Sequence, residues 1–117
     1  MRTVRTKPWN DLIQDKYSRP YLPLLEFIAV SDFASELHGG VFLSGLLISD
    51  EVEFEFGINM LQVESTSKGF VFHYSRGPGY PKDTVRKECS REDGARTMDL
   101  LLKTKFGVNL GLKRENG

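Results

Sequence analysis

The spacing of apolar residues changes along this chain, and the changes separate helical ends from a central group of strands. Near the N-terminus, Trp9, Leu12 and Ile13 follow Pro8 at helical spacing, which predicts a short helix. Two further prolines predict a loop over residues 18–23. The first element is therefore expected to be helical and to end before that loop.

Residues 24–37 admit two interpretations. The apolar positions of this segment roughly fit one face of a helix, and the double glycine at 39–40 would end it. In the alternative, residues 24–30 form a strand and a shorter helix starts at Ser31, whose hydroxyl could cap it. The spacing favours the continuous helix, and the strand remains the competing interpretation.

From residue 41 to residue 75 the apolar positions follow a period of two, which is typical of strands. Four runs rich in Val, Ile, Phe and Tyr are predicted strands: 41–48, 51–56, 59–65 and 69–75. The links between these runs are two or three residues long, and links this short favour hairpins. The centre of the chain is therefore predicted to be an antiparallel meander of three or four strands.

The C-terminal third returns to helical spacing. A segment dense in glycine and proline predicts a loop over 76–83, and residues 81–90 are predicted to form a helical turn or two. Ser90 with Asp93 resembles a capping box that opens a helix ending near Phe106. The pattern thus predicts a final helix with a side-chain cap at its start.

Gly107 is expected to close that helix, and residues 108–117 to add a short edge strand. At 117 residues the chain is predicted to be a single domain, residues 1–117. The expected class is α+β: a central antiparallel sheet of three to five strands, with helices from the N- and C-terminal segments packed on it.

The charges are distributed unevenly, although the formal net charge is zero. Residues 21–64 contain eight carboxylates and no Lys or Arg, whereas residues 1–20 carry a net +3 and residues 65–117 a net +5. Folding could bring the basic ends against the acidic middle and neutralise it. Otherwise the protein has a negative face that attracts and orients a basic partner.

The most acidic part of the middle segment has a strict alternation. Three glutamates alternate with three apolar residues: Glu51, Val52, Glu53, Phe54, Glu55 and Phe56. On a strand the apolar side chains would face the core and the glutamates would stand in a row on the other face. Neighbours about 7 Å apart would repel by about 2 kcal/mol at a surface dielectric constant.

Two explanations can account for this row of glutamates. They could protect an edge strand from pairing with other chains, or could meet cations such as Arg76 or the imidazole of His73 on neighbouring strands. Alternatively, they form a recognition surface for a basic protein. The second explanation predicts the following partner-binding residues, the last two being secondary: Asp50, Glu51, Glu53, Glu55, Glu64 and Asp32.

The resulting hypothesis is a non-enzymatic binding or inhibitor protein. A toxin nuclease presents a basic groove because it binds phosphates, and carboxylates could occupy that groove in their place. Small acidic-faced immunity proteins of bacteria neutralise toxin nucleases in this way. This chain resembles them in general character only, and no sequence motif supports the resemblance. An unpaired edge strand could also support a homodimer.

Other sequence features narrow the class. The single Cys89 excludes an intramolecular disulfide and a multi-cysteine zinc site, which favours a reducing compartment. The apolar runs are too short to span a bilayer, and basic residues at the N-terminus are not followed by a signal-peptide core. A cytoplasmic protein is therefore expected, with no cofactor, no metal and no membrane partner.

A second hypothesis belongs to a different class. The basic segment 76–91, together with His73, could bind or cleave RNA by contacting phosphates and transferring protons. The spacing of the two histidines, His38 and His73, matches no catalytic motif, and carboxylates dilute the basic segment. Steep weakening of binding by salt would distinguish this hypothesis from the first.

Overall fold

The computed structural model describes residues 3–75 and 84–110. Within these residues the helices are α1 (Trp9–Gln14), α2 (Leu22–Ala29) and α3 (Gly94–Leu110), with 3₁₀ turns at Lys16–Tyr21, Asp32–Ser35 and Arg91–Asp93. The strands there are β1 (Thr3–Arg5), β2 (His38–Phe42), β3 (Gly45–Ser49), β4 (Glu53–Glu55), β5 (Leu61–Ser65), β6 (Gly69–Ser75) and β7 (Thr84–Ser90).

The strands form two sheets, and the predicted α+β class is confirmed. Five strands make an antiparallel sheet in the order β2-β3-β5-β6-β7, and β1 pairs with β4 in a separate two-stranded sheet. The predicted meander is therefore wrong at 51–56, because β4 leaves the central sheet and β3 pairs with β5. Helices from the N- and C-terminal segments pack on one face of the five-stranded sheet through a shared apolar core. The two-stranded sheet packs on the opposite face.

The main core joins the helices to the inward face of the sheet. Its fully buried members include Leu24, Leu25 and Ile28 of α2, Phe72 of β6 and Phe106 of α3. Burying each such side chain contributes roughly 1.5–3 kcal/mol. The core therefore fixes the helices to one face of the sheet and leaves the opposite face available for other elements.

The N-terminal helix α1 is confirmed, but the loop predicted over 18–23 is wrong. Residues 16–21 form a 3₁₀ turn, and α2 begins at Leu22 with Pro23 in its first turn. A proline fits there because the first N–H groups of a helix have no partner within it. Pro23 thus marks a helix start, whereas Pro20 lies inside the 3₁₀ turn.

The segment 24–37 combines both interpretations. Residues 24–29 are helical, as the favoured interpretation predicts, so a strand over 24–30 is wrong. The continuous helix to residue 37 is wrong as well, because α2 ends at Ala29 and the double glycine lies inside β2. Ser31 caps a short 3₁₀ turn by accepting the Phe33 N–H at 3.2 Å. The start of a short helical element at Ser31 is therefore confirmed.

The predicted strand over 41–48 is in fact a hairpin. Phe42 ends β2 and Gly45 begins β3. Gly45 has φ +115°, and the Val63 carbonyl lies where a Cβ would be, so a larger residue cannot occupy this turn. The central three residues of β3 are buried on both faces because the sheet is covered on both sides here.

The helical prediction for residues 81–90 is wrong over 84–90, which form β7. This strand pairs with β6 through seven successive residues. Val85 and Cys89 pack against the core and are half-buried, while Lys87 between them is exposed. The period of two was hidden because the strand lies at the sheet edge and carries charge on both faces.

The final helix is confirmed, with a different start and end. The Ser90 hydroxyl lies 3.3 Å from an Asp93 carboxylate oxygen but caps no backbone N–H, and a 3₁₀ turn precedes α3. The helix continues through Gly107 to Leu110, so the predicted end at Gly107 and a strand from 108 are wrong over 108–110. The predicted loop 76–83 and residues 111–117 lie outside the described residues.

Candidate functional site

The acidic residues are displayed by the two-stranded sheet and the turns that flank it. We call β1 and β4, together with residues 50–52 and 56–58, the acidic ribbon. Val4 of β1 lies opposite Phe54 of β4, and both side chains pack on Leu47 and Met60. Because neighbouring residues of a strand point to opposite faces, this packing directs Glu53 and Glu55 into solvent.

The predicted alternation holds for β4 but fails at Val52. The strand begins at Glu53, and Val52 lies in the preceding bend with 63% of its surface exposed. The Thr6 hydroxyl donates to the Val52 carbonyl at 2.7 Å, which fixes the bend against the N-terminal segment. Phe54 is buried as expected, whereas Phe56 is only partly buried.

Glu51 therefore does not continue the row of outward glutamates and instead belongs to a hydrogen-bond network with Asp50. The Asn59 side-chain amide donates to Asp50 Oδ1 at 2.8 Å and to Glu51 Oε2 at 3.0 Å. Asn59 has φ +52°, and its carbonyl accepts the Ser49 hydroxyl at 2.8 Å. One amide thus holds the two neighbouring carboxylates in place.

Asp50 also acts on a cation of the helical layer. Burial lowers the pKa of Lys105 in α3, and the negative charge of Asp50 raises that pKa in opposition. The first carboxylate of the acidic ribbon is therefore partly compensated within the protein.

The two outward glutamates of β4 are compensated less. Arg5 Nε lies 3.5 Å from Glu53 Oε2, with the Arg5 and Glu53 side chains 85% and 59% exposed. An ion pair this exposed contributes at most about 1 kcal/mol and is screened by salt. Glu55 lies opposite Thr3 and forms no ion pair with the residues that the structure describes.

Two exposed apolar side chains flank the carboxylates of the acidic ribbon. Val52 precedes β4, and Ile58 follows it with 47% of its surface exposed. The Ile58 N–H donates to the Glu55 carbonyl at 3.0 Å, so a turn holds Ile58 next to the strand. Sequence reasoning missed both residues. A period of two extended through the bend places Val52 inward, and Ile58 falls in the link between two predicted strands.

The two secondary residues lie elsewhere in the fold. Leu61 of β5 pairs with Ile48, which places Glu64 at the far end of β5 from Asp50. There a carboxylate oxygen of Glu64 lies 3.0 Å from His73 Nε2. The structure thus separates Glu64 from the four acidic residues at positions 50, 51, 53 and 55.

Asp32 is on the helical side of the sheet. It lines a cavity of about 340 Å³ with Phe27, Val30 and Lys103, among others. Lys103 is 3.2 Å from Asp99 in the same cavity wall. Asp32 therefore does not belong to the same contact surface as the acidic ribbon.

The basic segment of the alternative hypothesis is described only in part. His73 lies between Gln62 and Arg86 on the solvent side of the sheet. Arg86 is 2.7 Å from Glu88, and it lowers the pKa of Glu88 by hydrogen bonding and by its charge. The guanidinium of Arg91 donates to Ser65 and to a neighbouring backbone carbonyl.

Those two arginines are therefore engaged by the protein's own acceptors, and Lys87 is on the helix side of β7. Lys82 and the rest of the loop lie outside the described residues. RNA binding or cleavage remains a prediction.

Over residues 3–75 and 84–110, no three His, Cys, Asp or Glu side chains are grouped so that they could hold a metal ion. Among the helices described there, none has both the length and the apolar character needed to cross a membrane.

Comparisons of the chain with protein-family models, with curated proteins and with solved structures gave no match.

Proposed function

We propose that this protein is a non-enzymatic binding protein that recognises a basic protein partner through the acidic ribbon. The observation that supports this most is the outward projection of Glu53 and Glu55 beside the exposed Val52 and Ile58. In the described residues, the cation paired with this strand is Arg5, at 3.5 Å and almost wholly in solvent.

Charge and apolar surface have different roles in such an interface. Clustered carboxylates attract a basic partner from a distance and raise the association rate. Apolar side chains at the centre of an interface exclude water and slow dissociation. We assign the first role to Glu53 and Glu55 and the second to Val52 and Ile58.

The packing of the ribbon supports pre-organisation of this surface. Phe54 and Val4 are anchored on Leu47 and Met60, so the carboxylates stand on a backbone held by buried side chains. The Asn59 amide holds the two preceding carboxylates. Surfaces fixed before binding lose less conformational entropy when the partner docks.

The partner class that fits best is a nuclease toxin, and the protein would be its cytoplasmic immunity partner. The phosphate-binding groove of a nuclease is lined by cations, and a row of carboxylates can occupy it as phosphates do. An inhibitor of this kind needs no catalytic group of its own.

The test compares two charge reversals of equal size. Glu53→Lys with Glu55→Lys changes the ribbon, and Glu26→Lys with Glu36→Lys changes two exposed glutamates of the helical layer. Immobilised wild-type protein and both variants are used to capture proteins from cells that express this chain naturally. A partner captured by wild type and by the control, but lost from the ribbon variant, supports the proposal.

The captured partner is then purified and its association rate is measured at several salt concentrations. We expect the ribbon variant to associate at least about tenfold more slowly at low salt, with a smaller difference at high salt. Equal capture by all three proteins, or no specific capture by wild type, would show the proposal to be wrong.

The proposed role of Val52 and Ile58 is tested separately, through the dissociation rate. Val52→Ser with Ile58→Ser should leave the association rate unchanged and raise the dissociation rate, because both side chains are already exposed in the free protein. An unchanged dissociation rate would remove these residues from the interface.

A further inference from the structure

The two edge strands of the five-stranded sheet, β2 and β7, differ in what lies beside them. At the β2 edge, the Lys7 N–H donates to the Gly39 carbonyl at 3.0 Å, so the N-terminal segment covers part of that edge. At the opposite edge lies β7, and no other strand of residues 3–75 and 84–110 pairs with its outer side.

The β7 edge lacks several common protections against pairing. Natural edge strands are often short, bulged or interrupted by proline. This strand has seven residues, contains no proline and pairs with β6 without a bulge. The remaining protection is charge, carried by Arg86, Lys87 and Glu88.

Those charges are self-complementary in one antiparallel register. If a second copy pairs with β7 about a two-fold axis through Lys87, Arg86 of each copy faces Glu88 of the other. Within one chain Arg86 and Glu88 already lie 2.7 Å apart on the solvent face of the sheet. The two copies would therefore place two arginines and two glutamates at alternating corners of a square, each next to opposite charges.

The other face of the strand suits the same register. Val85 of each copy faces Cys89 of the other, and both side chains are half-buried against the core. The two Lys87 residues meet at the axis, where like charges directly opposite cost stability; both are exposed, and their long stems let the ammonium groups diverge and reduce that cost. The side chain of Lys87 is therefore not buried under α3.

We infer that the β7 edge is a homodimer interface, in which two copies of this chain pair antiparallel about Lys87 and form one continuous ten-stranded sheet. An interface of this type is isologous, since the same strand is used twice. The acidic ribbon packs on β3, at the other side of the sheet from β7. Both ribbons remain accessible in the dimer, so this inference does not depend on the proposed function.

A disulfide tests the register directly. Lys87→Cys is made in a Cys89→Ser background, and the protein is oxidised under mild conditions. Directly opposite residues of antiparallel strands have Cα atoms about 4.5–5.5 Å apart, within disulfide range. We expect a symmetric disulfide dimer in non-reducing gels.

The matched control is Arg86→Cys in the same background. In the inferred register its two copies are about 8 Å apart, beyond disulfide reach. We expect little or no cross-linking of this control. Equal cross-linking of both variants, or none of Lys87→Cys, would overturn the inference.

Charge reversal tests the complementarity by sedimentation velocity over a range of protein concentrations. We expect wild type to dimerise, and Arg86→Glu to raise the dimer dissociation constant at least about tenfold, because four carboxylates then meet. The exchange of Arg86→Glu with Glu88→Arg restores opposite charges and should restore the dimer. A monomeric wild type, or an exchange variant as weak as the single variant, would contradict the self-complementary register.

Discussion

One face of the five-stranded sheet lies away from the helices, and the two halves of this face differ in their side chains and in what packs on them. Over β3, this face carries Leu47, and the acidic ribbon covers it with Val4 and Phe54. Over β5, β6 and β7, the same face carries mainly polar and charged side chains: Gln62, Glu64, His73, Arg86 and Glu88. The exception there is Val71 of β6, which is buried between Glu64 and Glu88 of the neighbouring strands.

The difference shows what the ribbon does for the fold and for the site. Apolar residues on both faces of β3 need cover on both sides, and the ribbon supplies the second cover. Its own outer surface is then free to carry carboxylates, since Phe54 faces inward. The acidic surface is therefore a consequence of how a buried strand is covered, and its position depends on four buried side chains.

The largest expected effect follows from removing the anchor of the covered half. Phe54→Ala deletes a buried ring, and we expect a loss of about 3 kcal/mol in the free energy of unfolding. Urea denaturation measures the loss, and hydrogen exchange should show faster opening of β1 and β4. A loss below about 1 kcal/mol would mean that the ribbon is not held by this side chain.

The next effect concerns the network at the start of the ribbon. Asn59→Gly removes the amide that binds Asp50 and Glu51 but keeps the freedom to adopt a positive φ, and should cost about 1 kcal/mol. Asn59→Ala adds the strain of a left-handed residue and should cost about 2 kcal/mol in total. Denaturation of both variants checks the order, which would be contradicted if alanine were the milder substitution.

A smaller effect tests the compensation of Asp50. Asp50→Asn keeps an acceptor for Asn59 and removes the charge that raises the pKa of Lys105, so that pKa should fall further. A lysine whose pKa is lowered in the folded state destabilises the folded protein at neutral pH, where it is charged. The stability of the variant should therefore recover as pH rises from that lowered pKa towards the ordinary value of 10.5. NMR titration of the Lys105 side chain measures the shift, and an unchanged pKa would contradict it.

The smallest effect belongs to the polar half. Glu64→Gln weakens the contact with His73 at a partly exposed site, and we expect less than about 1 kcal/mol of change in stability. Urea denaturation of this variant alongside Phe54→Ala quantifies the contrast between the halves. A loss as large as that of Phe54→Ala would show that the polar half also has a structural anchor.

Much of the fold could be predicted from residue spacing. The period of the apolar residues reveals directly which side chains are buried. It therefore predicts the buried central residues of β3, the alternation in β6 and the apolar faces of α2 and α3. Strand β7 could not be predicted because charges occupy both of its faces at the sheet edge. Strand β1, with three residues, is too short for a period to show.

The site was predictable only where local pattern decides it. The outward direction of Glu53 and Glu55 follows from alternation, and the structure agrees. The exposure of Val52 depends on where β4 begins, and the separation of Glu64 depends on strand register. Both are set by long-range packing, for which the sequence carries no local signal.

The most direct measurement of the central claim is hydrogen exchange of the protein with and without its captured basic partner. Slower exchange over residues 51–58 in the complex, with residues 61–75 and 84–90 unchanged, is the result we predict. Protection confined to the polar half of the sheet or to β7, with residues 51–58 unaffected, would contradict the assignment of the acidic ribbon as the docking surface.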